Sequence, residues 1–182
     1  MKRFILTGAP GAGKTSILRQ LQQEGFSVVD EAATDVIALE QARGIAEPWT
    51  QPAFLDSVAA LQRQRQMQAA LQPDGIQFHD RSAICTAALA EYLGFAITPV
   101  LAQELDRIRA EEIFEREAFF IRSLGFIEPT AARRISLEQA LRFERIHEEV
   151  YKRFGFEIVI IEPGAIQDRA DAVKRAVLRR LG

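Results

Sequence analysis

The run Gly8-Ala9-Pro10-Gly11-Ala12-Gly13-Lys14-Thr15, followed by Ser16, constrains this chain more than any other stretch, because it dictates what must flank it. It fits the pattern G-x-x-x-x-G-K-[ST]. Gly8 and Gly13 let the backbone curl so that successive N–H groups point inward, and the positive end of a following helix favours an anion there. The flanks agree: Phe4–Thr7 reads as an apolar strand leading in, and Ile17, Leu18 and Leu21 recur at helical spacing leading out. Lys14 would reach the β- and γ-phosphates of a nucleotide, and the Thr15 hydroxyl would sit on Mg²⁺. Gly8 through Ser16 are therefore expected to hold a nucleoside triphosphate with Mg²⁺.

A chain of 182 residues is read as one domain, 1–182, with a full hydrophobic core. A net charge of −2 supplies no field that would draw it to nucleic acid or to anionic lipid. No run of 18 apolar residues occurs, and the first strand begins at residue 2, so neither a membrane span nor a targeting segment is expected. The lone Cys85 fits a reducing cytoplasm and reads as a small core residue of a helix. The chain contains no asparagine, which removes both the N-K-x-D guanine signature and the catalytic-loop Asn of a protein kinase. ATP is the expected nucleotide.

Strand and helix patterns alternate along the chain, which predicts an α/β fold: a three-layer α/β/α architecture on one five-stranded parallel sheet. Strands are expected at Lys2–Thr7, Phe26–Val29, Ile76–His79, Ala118–Ile121 and Phe156–Ile161. Two helical segments, about 34–43 and 51–71, form an insertion (about 34–72) after the second strand, broken at Pro48-Trp49. Helices are also expected at Ser82–Leu93, from Thr98-Pro99, from a Ser136/Gln139 capping box to Gly155, and over Asp168–Leu181.

Open parallel sheets bind ligands at the carboxyl ends of their strands, and three places there could carry chemistry. Asp80, closing the third strand, stands where an acid would hold Mg²⁺ together with Thr15, and Arg81 beside it could clamp a phosphate. His79 reads as a packed strand residue. Glu31, with Asp30 as the fallback, ends the second strand and could accept the proton of an acceptor hydroxyl; equally, it could cap the next helix. Arg133 and Arg134 lie in an arginine-bearing stretch (about 122–135) that reads as a small lid, able to offset charge and exclude water. Arg63 and Arg65 could face an acceptor or form a solvated helix face. The loop Pro163-Gly164-Ala165 could touch a base by position alone.

Taken in order, Gly8–Thr15, Asp30-Glu31-Ala32, Asp80-Arg81 and the Arg-bearing stretch resemble the small-molecule branch of phosphate-loop kinases, which includes nucleoside and nucleotide kinases. A closer resemblance, nearly end to end, is to the predicted AAA-type ATPases related to the ribosylnicotinamide kinase domain. It extends through Ala132-Arg133-Arg134-Ile135-Ser136, Tyr151–Glu157 and Asp168-Arg169-Ala170-Asp171. The resemblance implies a P-loop NTPase fold of nucleotide-kinase type. It implies Lys14 and Thr15 as triphosphate and Mg²⁺ ligands, Asp80 as the second metal-side acid and Arg81 as an anchor. Glu31 becomes the acceptor-side carboxylate, and Arg133 and Arg134 the lid cations.

Two readings follow. In the first, the γ-phosphoryl of ATP passes to a compact nucleoside-, nucleotide- or riboside-like acceptor. In the second, an ATPase cycle gates a protein partner. About 20 residues follow the last strand, too few for the helical domain of a ring-forming ATPase, so a monomer or homodimer is expected.

Overall fold

The computed structural model describes residues 1–71, 75–125 and 136–181. Five strands form one parallel sheet: β1 (Lys2–Thr7), β2 (Ser27–Val29), β3 (Ile76–Asp80), β4 (Glu117–Ile121) and β5 (Glu157–Ile161), in the order β2-β3-β1-β4-β5. Among the described residues seven helices connect and cover them: α1 (Lys14–Gln23), α2 (Ala33–Ala42), α3 (Ala53–Ala69), α4 (Ala83–Leu93), α5 (Pro99–Ala110), α6 (Leu137–Arg153) and α7 (Ile166–Leu181). A short 3₁₀ turn at Pro48–Thr50 stands at the expected break between α2 and α3.

Alternation along the strands decides which helix covers which face. Phe4 and Leu6 of β1 and Phe119 and Ile121 of β4 face α1 and α7, where Ile17, Leu18, Leu21, Val173 and Val177 complete one core. Ile5 and Ala118, between them in the pleat, face the other layer, packed by residues of α4, α5 and α6. The central strands are buried on both faces, which is why they read as continuous apolar runs. A third, smaller cluster (Ala32, Val36, Ile37, Phe54 and Val58) sits apart under α2 and α3.

Local chemistry sets the helix starts. Ser82 caps α4 by accepting from the Ile84 N–H at 3.3 Å, and Thr98 caps α5 by accepting from Leu101 at 3.2 Å. The capping box is formed: Ser136 Oγ accepts from the Gln139 N–H at 3.1 Å, and Gln139 Oε1 from the Ser136 N–H at 2.8 Å. Element ends shift modestly from the expected bounds. The second strand begins at Ser27 rather than Phe26, and the last helix begins at Ile166 rather than Asp168. Most of the 122–135 stretch, including Arg133 and Arg134, and most of the Pro73–Gly75 turn lie outside the described residues.

Phe4 is fully buried on the central strand, with its ring 5.7 Å from that of Phe119 and 6.1 Å from that of Phe78. Phe4→Ala should lower unfolding free energy by about 3–5 kcal/mol in urea titrations.

Candidate functional site

The phosphate loop is held by close backbone approach at its start. Gly8 has φ +125°, and a Cβ there would stand 2.3 Å from the Ile121 carbonyl oxygen at the end of β4. A side chain at this position would collide with main chain that has no room to yield. The loop therefore requires glycine where it leaves β1, for steric as well as conformational reasons.

Lys14 is buried, and its Nζ donates to the carbonyls of Gly8 at 3.1 Å and Ala9 at 2.9 Å, bridging the loop's first turn. Burial, reinforced by the Arg81 charge, brings its ammonium down to about 7. Thr15 Oγ1 donates to Asp80 Oδ2 at 3.1 Å, which joins the first residues of α1 to the end of β3. The second oxygen, Asp80 Oδ1, is buried with no hydrogen-bond partner, and burial above all pushes this carboxyl up from its ordinary value. An orphaned buried oxygen beside a threonine hydroxyl is a hard-donor pair of the kind Mg²⁺ takes. Thr15 and Asp80 thus fit the ion assigned to them. Among the described residues no cluster of three or more His, Cys, Asp or Glu side chains could hold a metal.

Arg81 departs from ordinary backbone geometry, with φ +73°, a conformation that costs a non-glycine residue of order 1–2 kcal/mol. Its N–H bonds the Leu6 carbonyl at 3.0 Å, and Nη1 lies 3.3 Å from His147 Nε2 on α6. The histidine's tautomer follows from its other nitrogen. Nδ1 lies 3.0 Å from the Phe143 carbonyl, so it carries the proton, and Nε2 presents a lone pair to Arg81. Burial, then the Arg81 charge, holds His147 well below the ordinary imidazole value and keeps it neutral. His147 gave no signal in the sequence because its role depends on a partner 66 residues away.

His79 is packed as expected: Nε2 meets Gln77 Oε1 at 2.8 Å, the ring stands edge-on to Phe114, and burial brings it down to about 3. Cys85 is buried on α4, with Sγ 3.0 Å from the Tyr151 hydroxyl and 3.2 Å from Thr7 Oγ1; it also borders the cavity described next.

A cavity of about 730 Å³ adjoins the loop. Gly13, Lys14, Thr15, Asp80 and Arg81 line it together with Trp49, Phe54, Tyr92 and Phe143. Glu31 lies on its border while serving as the cap of α2: Oε1 accepts from the Ala33 N–H at 3.1 Å, and Oε2 accepts from the Thr34 N–H at 3.2 Å and the Thr34 hydroxyl at 2.6 Å. Asp30 instead pairs with Arg19 at 3.1 Å. Arg65 braces the end of β2, donating to the carbonyls of Asp30 and Glu31 and pairing with Asp35, while Arg63 approaches Glu104 at 3.7 Å. The loop 163–165 does not line the cavity. Gln62, held by the Thr86 hydroxyl at 3.0 Å, does, and a glutamine on a glutamine-rich helix offers no sequence signal of it.

Fold and loop together define a phosphate-loop NTPase. A family model described as an AAA domain matches residues 3–169, and the chain belongs to that family. Among solved structures, NadR protein in complex with NAD and AMP-PNP superposes with a TM-score of 0.68 at 20% identity, over 96% of this chain and 49% of that one. This chain thus spans about half the length of that protein. Deoxyadenosine kinase from M. mycoides, with bound dATP or dCTP, superposes with a TM-score of 0.65 at 13% identity, over 97% of this chain and 99% of that one. No curated protein sequence matches the chain. No described helix is long and apolar enough to cross a membrane.

Asp80→Asn should leave the fold intact, since the amide oxygen still accepts from Thr15. Titration calorimetry with AMP-PNP should show affinity falling at least about tenfold in Mg²⁺ and little in EDTA. His147 yields a second test. Below its unfolded value of 6.5, the unfolded chain takes up a proton that the folded protein refuses, so stability drops as the pH is lowered. The slope in urea titrations should approach about 1.4 kcal/mol per pH unit for this residue, and His147→Leu should make the dependence shallower by that amount.

Proposed function

We propose that this protein is a small-molecule kinase that passes the γ-phosphoryl group of ATP to a hydroxyl of a nucleoside-, nucleotide- or riboside-like acceptor. The observation that carries the reading is a single cavity lined both by the phosphate loop and by Trp49, Phe54, Tyr92 and Phe143. A planar ring suits such walls. A protein that used its nucleotide state only to gate a partner would have no need of them. The folds of NadR and of deoxyadenosine kinase, solved with nucleotides bound, support the same reading.

Charge placement favours a hydroxyl acceptor over a phosphate. The cations that border the cavity among the described residues are Lys14 and Arg81, both at the loop end. On the acceptor side the arginines of α3 are turned to other partners, and the charged group facing the chamber is the Glu31 carboxylate. A phosphate there would meet like charge, whereas a hydroxyl would meet a base. Glu31 is fixed by its three capping bonds, and Oε1 accepts only one of them, leaving a lone pair for the acceptor's proton.

Thr15 and Asp80 would hold Mg²⁺, which when bound would offset the charge on the transferring group. Lys14 would exchange its two carbonyl partners for phosphate oxygens, and the bound anion would return its amine to the charged form. Arg81, pre-set by its backbone and by His147, would clamp the equatorial oxygens. Arg133 and Arg134, outside the described residues, stay as the lid cations expected from the sequence.

The test is ADP release from ATP and Mg²⁺ across nucleosides, nucleotides, nicotinamide riboside and sugars, with Lys14→Ala as blank. One acceptor should raise turnover well above the rate with water; a flat, slow, Lys14-dependent rate would instead support the partner-gating reading. With that acceptor, Glu31→Gln should lower kcat by about 10²-fold or more and change ATP affinity by less than about threefold. Equal losses in both would reduce Glu31 to a helix cap.

A further inference from the structure

We infer that Arg169, on α7, forms the rear half of the phosphate site: a buried cation that grips the outer side of the loop at Ala12, aims the Gly13 N–H into the cavity, and takes its counter-charge from the phosphate chain bound on the far side. Arg169 is 4% exposed. Nη1 donates to the Ala12 carbonyl at 2.9 Å, Nη2 donates to the Arg122 carbonyl at 3.0 Å, and Nε is buried without a partner. Among the described residues no carboxylate pairs with it, although Glu144 and Glu148 pair with Arg122 close by.

A buried guanidinium is ordinarily matched by an anion, because neutral hydrogen bonds solvate the charge without cancelling it. Here both partners are neutral carbonyls. The guanidinium also lies against the back of the loop, where a Cβ built on Gly13 would stand 3.0 Å from Nη1. The place where an anion would meet this charge is the concavity that Gly13 lines from the other side.

Peptide geometry gives the second strand of the argument. Among the described residues no peptide bond is cis, and in a trans peptide the carbonyl and the following N–H point in opposite directions. Ala12 is fully buried with its carbonyl on Arg169, so the N–H of Gly13 points away from Arg169, towards the cavity. Gly13 has φ +87°, and a glycine leaves the Ala12–Gly13 peptide sterically free to turn over. The bond from Arg169 selects the orientation that binds an anion. The same side chain holds the carbonyl of Arg122, the first residue after β4, and so sets the loop against the root of the 122–135 stretch. Arg169 is on this view a positioning residue.

The inference rests on the phosphate-loop reading and not on the choice of acceptor. Its test is titration of AMP-PNP with Mg²⁺ into the wild type, Arg169→Gln and Arg169→Lys, with thermal melts of each protein without nucleotide. Arg169→Gln should bind at least about tenfold more weakly, with a nucleotide-free melting temperature equal to or above wild type, because an unmatched buried charge has gone. Arg169→Lys gives up the bond to Arg122 but keeps the charge and a donor for the Ala12 carbonyl, the bond that sets Gly13, and should bind within about threefold of wild type. Wild-type affinity in Arg169→Gln, or Arg169→Lys as weak as Arg169→Gln, overturns the inference. So does a nucleotide-free melting temperature that drops in Arg169→Gln, which marks a structural tie. If Arg169→Gln does not fold, Arg169→Lys decides: affinity near wild type sustains the inference, and a tenfold loss overturns it. A wild type that binds no AMP-PNP removes the phosphate-loop reading itself.

Discussion

The pairing of β1 with β3 sets the site. In this parallel ladder Leu6 stands opposite Asp80, and the first residue after β3, Arg81, returns a hydrogen bond to the Leu6 carbonyl. That register brings the last acid of one strand beside the loop that leaves the other, within 3.1 Å of the Thr15 hydroxyl. A slip of one residue would turn Asp80 to the opposite face and leave the loop without its acid. The pairing of β1 with β4 closes the other flank, where the carbonyl of Ile121 lies against Gly8.

Behind this junction, support for the functional groups comes from helices far along the chain. One face of α6 carries His147, which meets Arg81, and Glu144 and Glu148, which hold Arg122. Glu144 also accepts from the Ser123 N–H at 3.2 Å. The chain thus leaves β4 already anchored to α6, before the stretch that bears Arg133 and Arg134. Arg122 is committed to this anchorage, with its guanidinium 5.1 Å above the Phe120 ring.

Local signals were strong enough to place the elements that matter most. The phosphate loop, the alternation of apolar strands with periodic helices, the Ser136–Gln139 box and the acid at the end of β3 all lie in short windows where spacing alone carries the physics. Of the two alternatives open for Glu31, the structure shows the helix cap, which its position between a strand and a helix made legible. Roles that depend on distant partners were not legible. Arg169 falls in a solvent-rich pattern of Asp, Arg and Ala, and nothing nearby says that it reaches the carbonyl of Ala12, 157 residues away. His147 sits among glutamates on an amphipathic helix, and its neutral tautomer is dictated by Phe143 and Arg81 only after folding. Arg63 and Arg65 show the converse: basic residues beside a cavity look available until their carboxylate and carbonyl partners are seen.

The small cluster of Ala32, Val36, Ile37, Phe54 and Val58 is separate from both cores of the sheet. It supports the part of the chain that carries Trp49, Phe54 and Glu31, while the loop, Asp80 and Arg169 rest on the strands and on α7. The cavity therefore rests on two bodies of packing: Trp49 and Phe54 on this small cluster, Tyr92 and Phe143 on the layer of α4, α5 and α6, with Leu89 bordering both. Substitutions under α2 and α3 can reshape the Trp49 and Phe54 walls without touching the strand register that sets Asp80 beside the loop.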